Sequence, residues 1–132
     1  MATVGYSGKP LWQKLGMKPG LRCLVVGAPD HYGELVEGEH GAVFVQDAPA
    51  DLVHLFVHDR AALEAGLHPA LAAVAEKGML WVSWPKKSSA LFVDVTEDVL
   101  RAVILPTGWV DVKVCAVDQD WSGLKFMRRK GS

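Results

Sequence analysis

Gly78-Met79-Leu80-Trp81-Val82-Ser83-Trp84-Pro85-Lys86-Lys87-Ser88-Ser89 joins a short apolar run to a polar, cationic loop. Gly78 and Pro85 bound the run, and an apolar stretch of this length between turn residues suits a strand covered on both faces. Pro85 has no N–H to give to a ladder, so sheet pairing should weaken or stop there. Trp84, Lys86, Lys87, Ser88 and Ser89 then fall just past the strand's carboxyl end, the edge at which open α/β sheets bind ligands. An indole beside two ammonium groups and two hydroxyls can hold an anion or a flat aromatic group. The alternative is an indole that seals the sheet edge beside solvated lysines.

Upstream of this strand, a helix is expected over Ala61 to Glu76, broken or kinked at Gly66-Leu67-His68-Pro69. Asp59 can cap it. Before that, Asp51 to His58 reads as a strand. Alternation puts His54, Phe56 and His58 on one face and Val53, Leu55 and Val57 on the other. His54 is mid-strand and reads as a hydrogen-bonded core histidine. His58 stands at the strand's end beside Asp59 and Arg60, where a site would be. Val43 to Gln46 is another strand. Asp47 to Asp51 is too short for a helical crossover, so either these two strands are antiparallel or their boundaries shift. Leu21 to Gly27 is the first strand, and Gly27-Ala28-Pro29-Asp30-His31-Tyr32 is a second loop at the same sheet edge. Asp30 can cap a short helix over His31 to Val36. Pro10 can open a helix carrying Leu11, Trp12 and Leu15, with Gly16 as its cap.

Downstream, Thr96 is a good N-cap, and Glu97 and Asp98 complement the dipole of the helix it opens. Val95 and Leu100 are placed as a hydrophobic staple. Pro106 and Gly108 stop that helix. Val110 to Val117 alternates as a strand, and Trp121 to Arg129 returns antiparallel after the short turn Asp118-Gln119-Asp120. The order of elements predicts one α/β domain over residues 1–132, with residues 1–9 an irregular lead-in. Its three-layer, mainly parallel sheet would carry a C-terminal antiparallel hairpin. Strands 21–27, 51–58 and 79–84 should be adjacent and parallel.

The chain has 132 residues, half of them hydrophobic and 22% charged, which fits one globular domain with a real core. Its formal net charge of −1 argues against a general nucleic-acid footprint, leaving only Arg128, Arg129 and Lys130 as a local basic patch. No apolar run reaches transmembrane length, and the first residues show no apolar signal segment, so no membrane partner is expected and a cytoplasmic setting is. Cys23 and Cys115 lie inside expected strands without a C-x-x-C pairing, which suits reduced, buried thiols. No histidine pair plus carboxylate shows a zinc spacing, so no metal site is expected.

Two resemblances follow from these residues. Leu15-Gly16-Met17-Lys18-Pro19-Gly20-Leu21-Arg22-Cys23-Leu24-Val25-Val26-Gly27, the segment Val43 to Asp59, and Gly78 to Pro85 with the helix and hairpin after it resemble class I, S-adenosylmethionine-dependent methyltransferases. That resemblance implies a Rossmann-like sheet. The loop Gly27-Ala28-Pro29-Asp30 departs from that family's Gly-rich loop, and its second strand with a ribose-binding acid is not seen in the sequence. No methyl transfer and no bound cofactor are therefore expected. Ser7-Gly8-Lys9-Pro10-Leu11, Met79 to Lys87, Thr96-Glu97-Asp98-Val99, Val114 to Asp118 and Trp121 to Lys125 together resemble an uncharacterised bacterial family of small single-domain proteins, a domain-of-unknown-function family.

Three functional readings stay open. The first is a binding or regulatory domain on a degenerate methyltransferase-like scaffold, its ligand an anionic small molecule. Its candidate contacts are Asp30, His31, His58, Arg60, Trp84, Lys86 and Lys87, with Lys86, Lys87 and Arg60 making the edge locally positive. The second is a small enzyme using Asp30, His31, His58, Lys86 and Lys87 for proton transfer on such an anion. The third is a homo-oligomeric interaction protein with Trp12, Trp109 or Trp121 at an interface.

Overall fold

In a computed structural model describing residues 9–130, the chain runs through helix α1 (Leu11–Leu15), strand β1 (Arg22–Val26), helix α2 (Tyr32–Leu35), β2 (Val43–Phe44), β3 (Ala50–Phe56), α3 (Arg60–Ala73), β4 (Val74–Pro85), α4 (Glu97–Ile104), a 3-10 turn (Leu105–Thr107), β5 (Trp109–Ala116) and β6 (Trp121–Arg128). The lead-in expected over residues 1–9 lies, except for Lys9, outside the described residues. One sheet holds the six strands in the order β2-β1-β3-β4-β6-β5. β1, β3 and β4 are adjacent and parallel, and β6 runs antiparallel to β4 and to β5. The fold is a Rossmann-like α/β sheet with a C-terminal antiparallel hairpin, as the element order predicted.

Helices cover both faces because β4 alternates under two cores. Leu80, Val82 and Trp84 point to one, with Leu63, Leu67 and Ala70 of α3 and Leu100 and Ile104 of α4. Trp81 points to the other, with Leu11 and Leu15 of α1 and with Tyr32, Phe56 and Trp121. The Trp81 indole also donates to the Leu15 carbonyl at 3.0 Å, tying α1 to the sheet. Trp109 and Trp121, expected at an interface, are buried in these cores at 6% and 2% exposure and present no surface. Both cysteines are free thiols, and burial pushes that of Cys23 up to about 11.

Helix caps follow the sequence where a side chain can reach its own turn. Asp59 accepts from the Ala62 amide at 2.8 Å, and Thr96 accepts from that of Val99. Asp30 does not cap α2; His31 holds the cap position without a side-chain bond. Elsewhere tertiary packing overrides local expectation. α3 carries Pro69 inside it without ending there. Gly66 lets that turn approach β3, since a Cβ there would sit 3.3 Å from a Leu55 methyl. The expected helical end Val74 to Glu76 is instead the start of β4, where Val74 pairs with Ala50.

The link into β3 also has a physical resolution. β2 is parallel to β1, not antiparallel to β3, and the two flank β1 on opposite sides. Phe44 and Leu52 are both level with Cys23, so the connection moves sideways with little backward travel. A two-residue strand is what makes a short parallel connection feasible here. β2, expected over Val43 to Gln46, is shorter and lies beside β1; it ends at Phe44 and is followed by Val45 and Gln46, with no acid directly at its end.

Candidate functional site

The carboxyl ends of β1, β3 and β4 lie along one edge with the β5–β6 turn, because β6 starts where β4 ends: Pro85 pairs with Trp121. Hydrogen bonds lace the edge loops together. The Lys86 amide donates to the Asp120 carbonyl at 2.8 Å, and the Ser89 hydroxyl to the Asp120 carboxylate at 2.8 Å. The Arg60 amide donates to Asp94 at 2.9 Å, and His31 Nε2 lies 3.2 Å from the Asp118 carboxylate.

Three of the residues singled out in the sequence share a pocket. Trp84, Lys86 and Lys87 line an open cavity of ≈ 410 Å³ with Thr96, Glu97, Asp98, Arg101 and Ser122. Trp84 is 5% exposed, so it belongs to the core and shows only part of its indole to the pocket. Asp30, His31, His58 and Arg60 are not among its lining residues. His58 is exposed and packs edge-on to Trp121, with ring centroids 5.2 Å apart. Arg60 pairs with Glu64 one turn along its own helix. The pocket is not a purely positive field: Glu97 and Asp98 share its lining with Lys86 and Lys87, and Arg101 is bound by Glu97 at 2.8 Å and Asp111 at 3.0 Å. Those carboxylates raise the guanidinium's pKa, the Asp111 hydrogen bond most, and its charge is locally matched.

The second element of the edge is the crevice between β1 and β3. The chain leaves β1 toward β2 on one side and reaches β3 on the other, and such a switch point is where open sheets seat ligands. Here the protein's own groups fill it. Gly27 has φ +73°, and a Cβ there would lie 2.9 Å from the Phe56 carbonyl oxygen. The glycine after β1 therefore serves close contact with β3. Beneath it, the Phe56 ring stacks on His54 at 4.3 Å and meets Tyr32 and Trp121 edge-on. α2 is a single turn of four residues, which gives an anion few aligned amides.

His54 is fully buried, as its mid-strand position predicted, and bonded at both ring nitrogens. Tyr32 Oη lies 2.9 Å from Nδ1, and Ser83 Oγ lies 2.7 Å from Nε2. Burial lowers the imidazole pKa to about 3, so the ring is neutral and uses one nitrogen as donor and one as acceptor. Burial likewise pushes the Tyr32 phenol far above its ordinary value. A serine hydroxyl, a histidine and a second hydroxyl in line have the connectivity of a nucleophile, its base and an orienting group. Enclosure prevents that use: Ser83 is 0% exposed, and a Cβ on Gly123 would come within 3.3 Å of its hydroxyl, leaving no space for a reacting carbonyl. The chain of bonds satisfies three polar groups inside the core. Among the described residues no group of three or more His, Cys, Asp or Glu is placed to hold a metal ion. No helix among them is long and apolar enough to cross a membrane.

No family model matches the sequence, and no curated protein sequence matches it. Solved structures do match the fold. The N-methyltransferase NodS from Bradyrhizobium japonicum aligns over 91% of this chain and 92% of its own, at 14% identity and a TM-score of 0.55. DhpI in complex with SAH aligns over 92% of this chain and 83% of its own, at 14% identity and 0.56. The fibrillarin pre-rRNA processing protein of Methanococcus jannaschii aligns over 86% of this chain and 68% of its own, at 9% identity and 0.54. The chain therefore has the scaffold of class I S-adenosylmethionine-dependent methyltransferases, and at these identities the likeness is one of fold.

Proposed function

We propose that this protein is a small bacterial, cytoplasmic binding or regulatory domain for an anionic small molecule, built on a methyltransferase-like scaffold that no longer transfers methyl groups. One observation carries the reading. The glycine after β1, whose bare backbone would let a cofactor approach, faces the Phe56 carbonyl at a distance that even a Cβ would violate. Pro29 and the one-turn α2 further reduce the backbone amides on offer at that point. The buried Tyr32, His54 and Phe56 cluster supports the same reading by filling the switch point with side chains.

The test is calorimetric titration with S-adenosylmethionine and with S-adenosylhomocysteine. The expected result is no heat of binding at physiological cofactor concentrations. Micromolar affinity for either compound would overturn the proposal and return the chain to the methyltransferases as a compact enzyme.

A further inference from the structure

The pocket beside Trp84 has carboxylates in its lining, but a second cavity does not. It lies between α1 and the β5–β6 hairpin and has a volume of ≈ 500 Å³. Lys9, Gln13, Lys14, Lys113, Val114, Cys115, Ala116 and Ser122 line it, and there is no carboxylate in that wall. Lys125 is the cross-strand partner of Lys113, so both side chains leave the same face of the hairpin. Lys14 is positioned from the opposite side by a 3.2 Å hydrogen bond from Nζ to the Ala116 carbonyl.

This grouping is costly without a counter-charge. Like charges directly opposite on paired strands are destabilising. Burial holds the Lys125 ammonium below its ordinary pKa, and Lys113 adds to the effect. Among the described residues no ion pair involves Lys9, Lys14, Lys113 or Lys125. Basic composition does not explain the cluster, because the chain has 15 acidic residues to 14 Lys and Arg. A concave, one-sign surface concentrates anions, and lysines serve phosphates as point charges. Val114 and Cys115 add an apolar wall suited to a carbon skeleton, in a cavity of ordinary ligand size.

We propose that this cavity is a binding site for a soluble phosphorylated small molecule, its phosphate groups held by Lys14 and Lys113 with Lys9 at the rim and Lys125, outside the lining, adding its charge from beside Lys113. The inference rests on the binding-domain reading above and gives it a ligand class and a place. It moves the anion from the Lys86 and Lys87 loop to the opposite face of the hairpin.

Titration of the full chain with inorganic pyrophosphate at low salt tests it. Saturable binding is expected, with amide shifts in nuclear magnetic resonance spectra over residues 113–116 and 122–125. The pair Lys113→Ala, Lys125→Ala should weaken binding roughly tenfold or more, as should added sodium chloride. The pair Lys86→Ala, Lys87→Ala should bind as the parent does. Lys125→Met guards against a folding artefact. It removes a crowded charge and keeps the stem, so without pyrophosphate it should melt no lower than the parent. Absence of saturable pyrophosphate binding would overturn the inference, as would a lower melting temperature for Lys125→Met. Sedimentation with phosphatidylcholine vesicles carrying phosphatidic acid, in a protein that ignores pyrophosphate, would overturn it by placing the phosphate on a lipid. Binding lost in the Lys86 and Lys87 variant alone sinks this site and leaves the binding-domain reading standing. Cofactor binding in the earlier titration sinks that reading itself.

Discussion

The two faces of the sheet are covered by helices of very different length. On one face α3 and α4, of 14 and 8 residues, lie over an aliphatic core of Val53, Leu55, Leu80 and Val82. On the other, α1 and α2 have only 5 and 4 residues, and beneath them the core turns aromatic and polar, with Tyr32, Phe56, Trp81 and Trp121 around a buried imidazole. The longer helices bury most of the apolar surface beneath them. Short ones leave the hairpin's inner face open at the lysine-lined cavity. The contrast assigns most of the aliphatic burial to the first face and leaves the second the more open.

The largest effect should come from the aliphatic face. Leu63, in the first turn of α3, is 0% exposed. Leu63→Ala should lower the free energy of unfolding by about 2–5 kcal/mol, from lost burial and the cavity left behind, read as a shift in urea midpoint at constant m-value. A cost below about 1 kcal/mol, the scale of an exposed position, would break the comparison.

The polar face should show itself through acid. The folded pKa of His54 is lowered from 6.5 to about 3, so between these values the unfolded chain holds a proton that the folded one lacks. Stability from this group is therefore complete above about pH 6.5 and falls as pH drops through that window toward 3. The slope approaches about 1.4 kcal/mol per pH unit, or roughly 2–3 kcal/mol over the first two units. The variant His54→Leu, although less stable because Tyr32 and Ser83 lose their partner, should lack that slope. Denaturation curves at a series of pH values decide it. A parent protein equally stable at pH 6.5 and 4.5 would remove the buried neutral imidazole from the account.

What could be read in the sequence was whatever local chemistry determines. The alternating run from Val53 to Val57, the caps at Asp59 and Thr96, and the hairpin turn after Val117 depend on neighbours in the chain, and the structure holds them. Ala75 and Glu76 were misread as helix because their propensities are helical; β4 takes them because Val74 pairs with Ala50. Lys77 there has φ +69°, a conformation its sequence does not announce. The Tyr32, His54 and Ser83 chain was hidden for a different reason. His54 was identified as a core histidine, but its partners lie 22 and 29 residues away. The lysine cavity was hidden too: Lys9, Lys14 and Lys113 line it and Lys125 pairs with Lys113, and none of them lies in a run of charge. Conversely, Lys86 and Lys87 stand out as a pair, yet the fold puts Glu97 and Asp98 in the same pocket lining.

The smallest effect should lie at the amino edge of the sheet, on neither face. There the Asp51 carboxylate accepts from the Arg22 amide at 2.9 Å and from its guanidinium at 3.3 Å, joining β1 to β3. These hydrogen bonds hold the Asp51 pKa below its ordinary 3.8, the side-chain bond most. The two side chains are 44% and 33% exposed, so water and salt screen the pair. Its net worth should be about 0–1 kcal/mol, far less than the shift alone would suggest. The sign follows from the lowered pKa: the contribution is present above about pH 3.8 and is lost as pH falls further. That window lies below most of the His54 range, so the two are separable in one acid series. Asp51→Asn should leave the slope between pH 6.5 and 4.5 unchanged and flatten only the most acidic part of the curve. In molar salt its cost should shrink toward zero. A cost above about 2 kcal/mol that resists salt would mean that the exposed amino edge, rather than the buried imidazole, supplies the main electrostatic contribution to this fold.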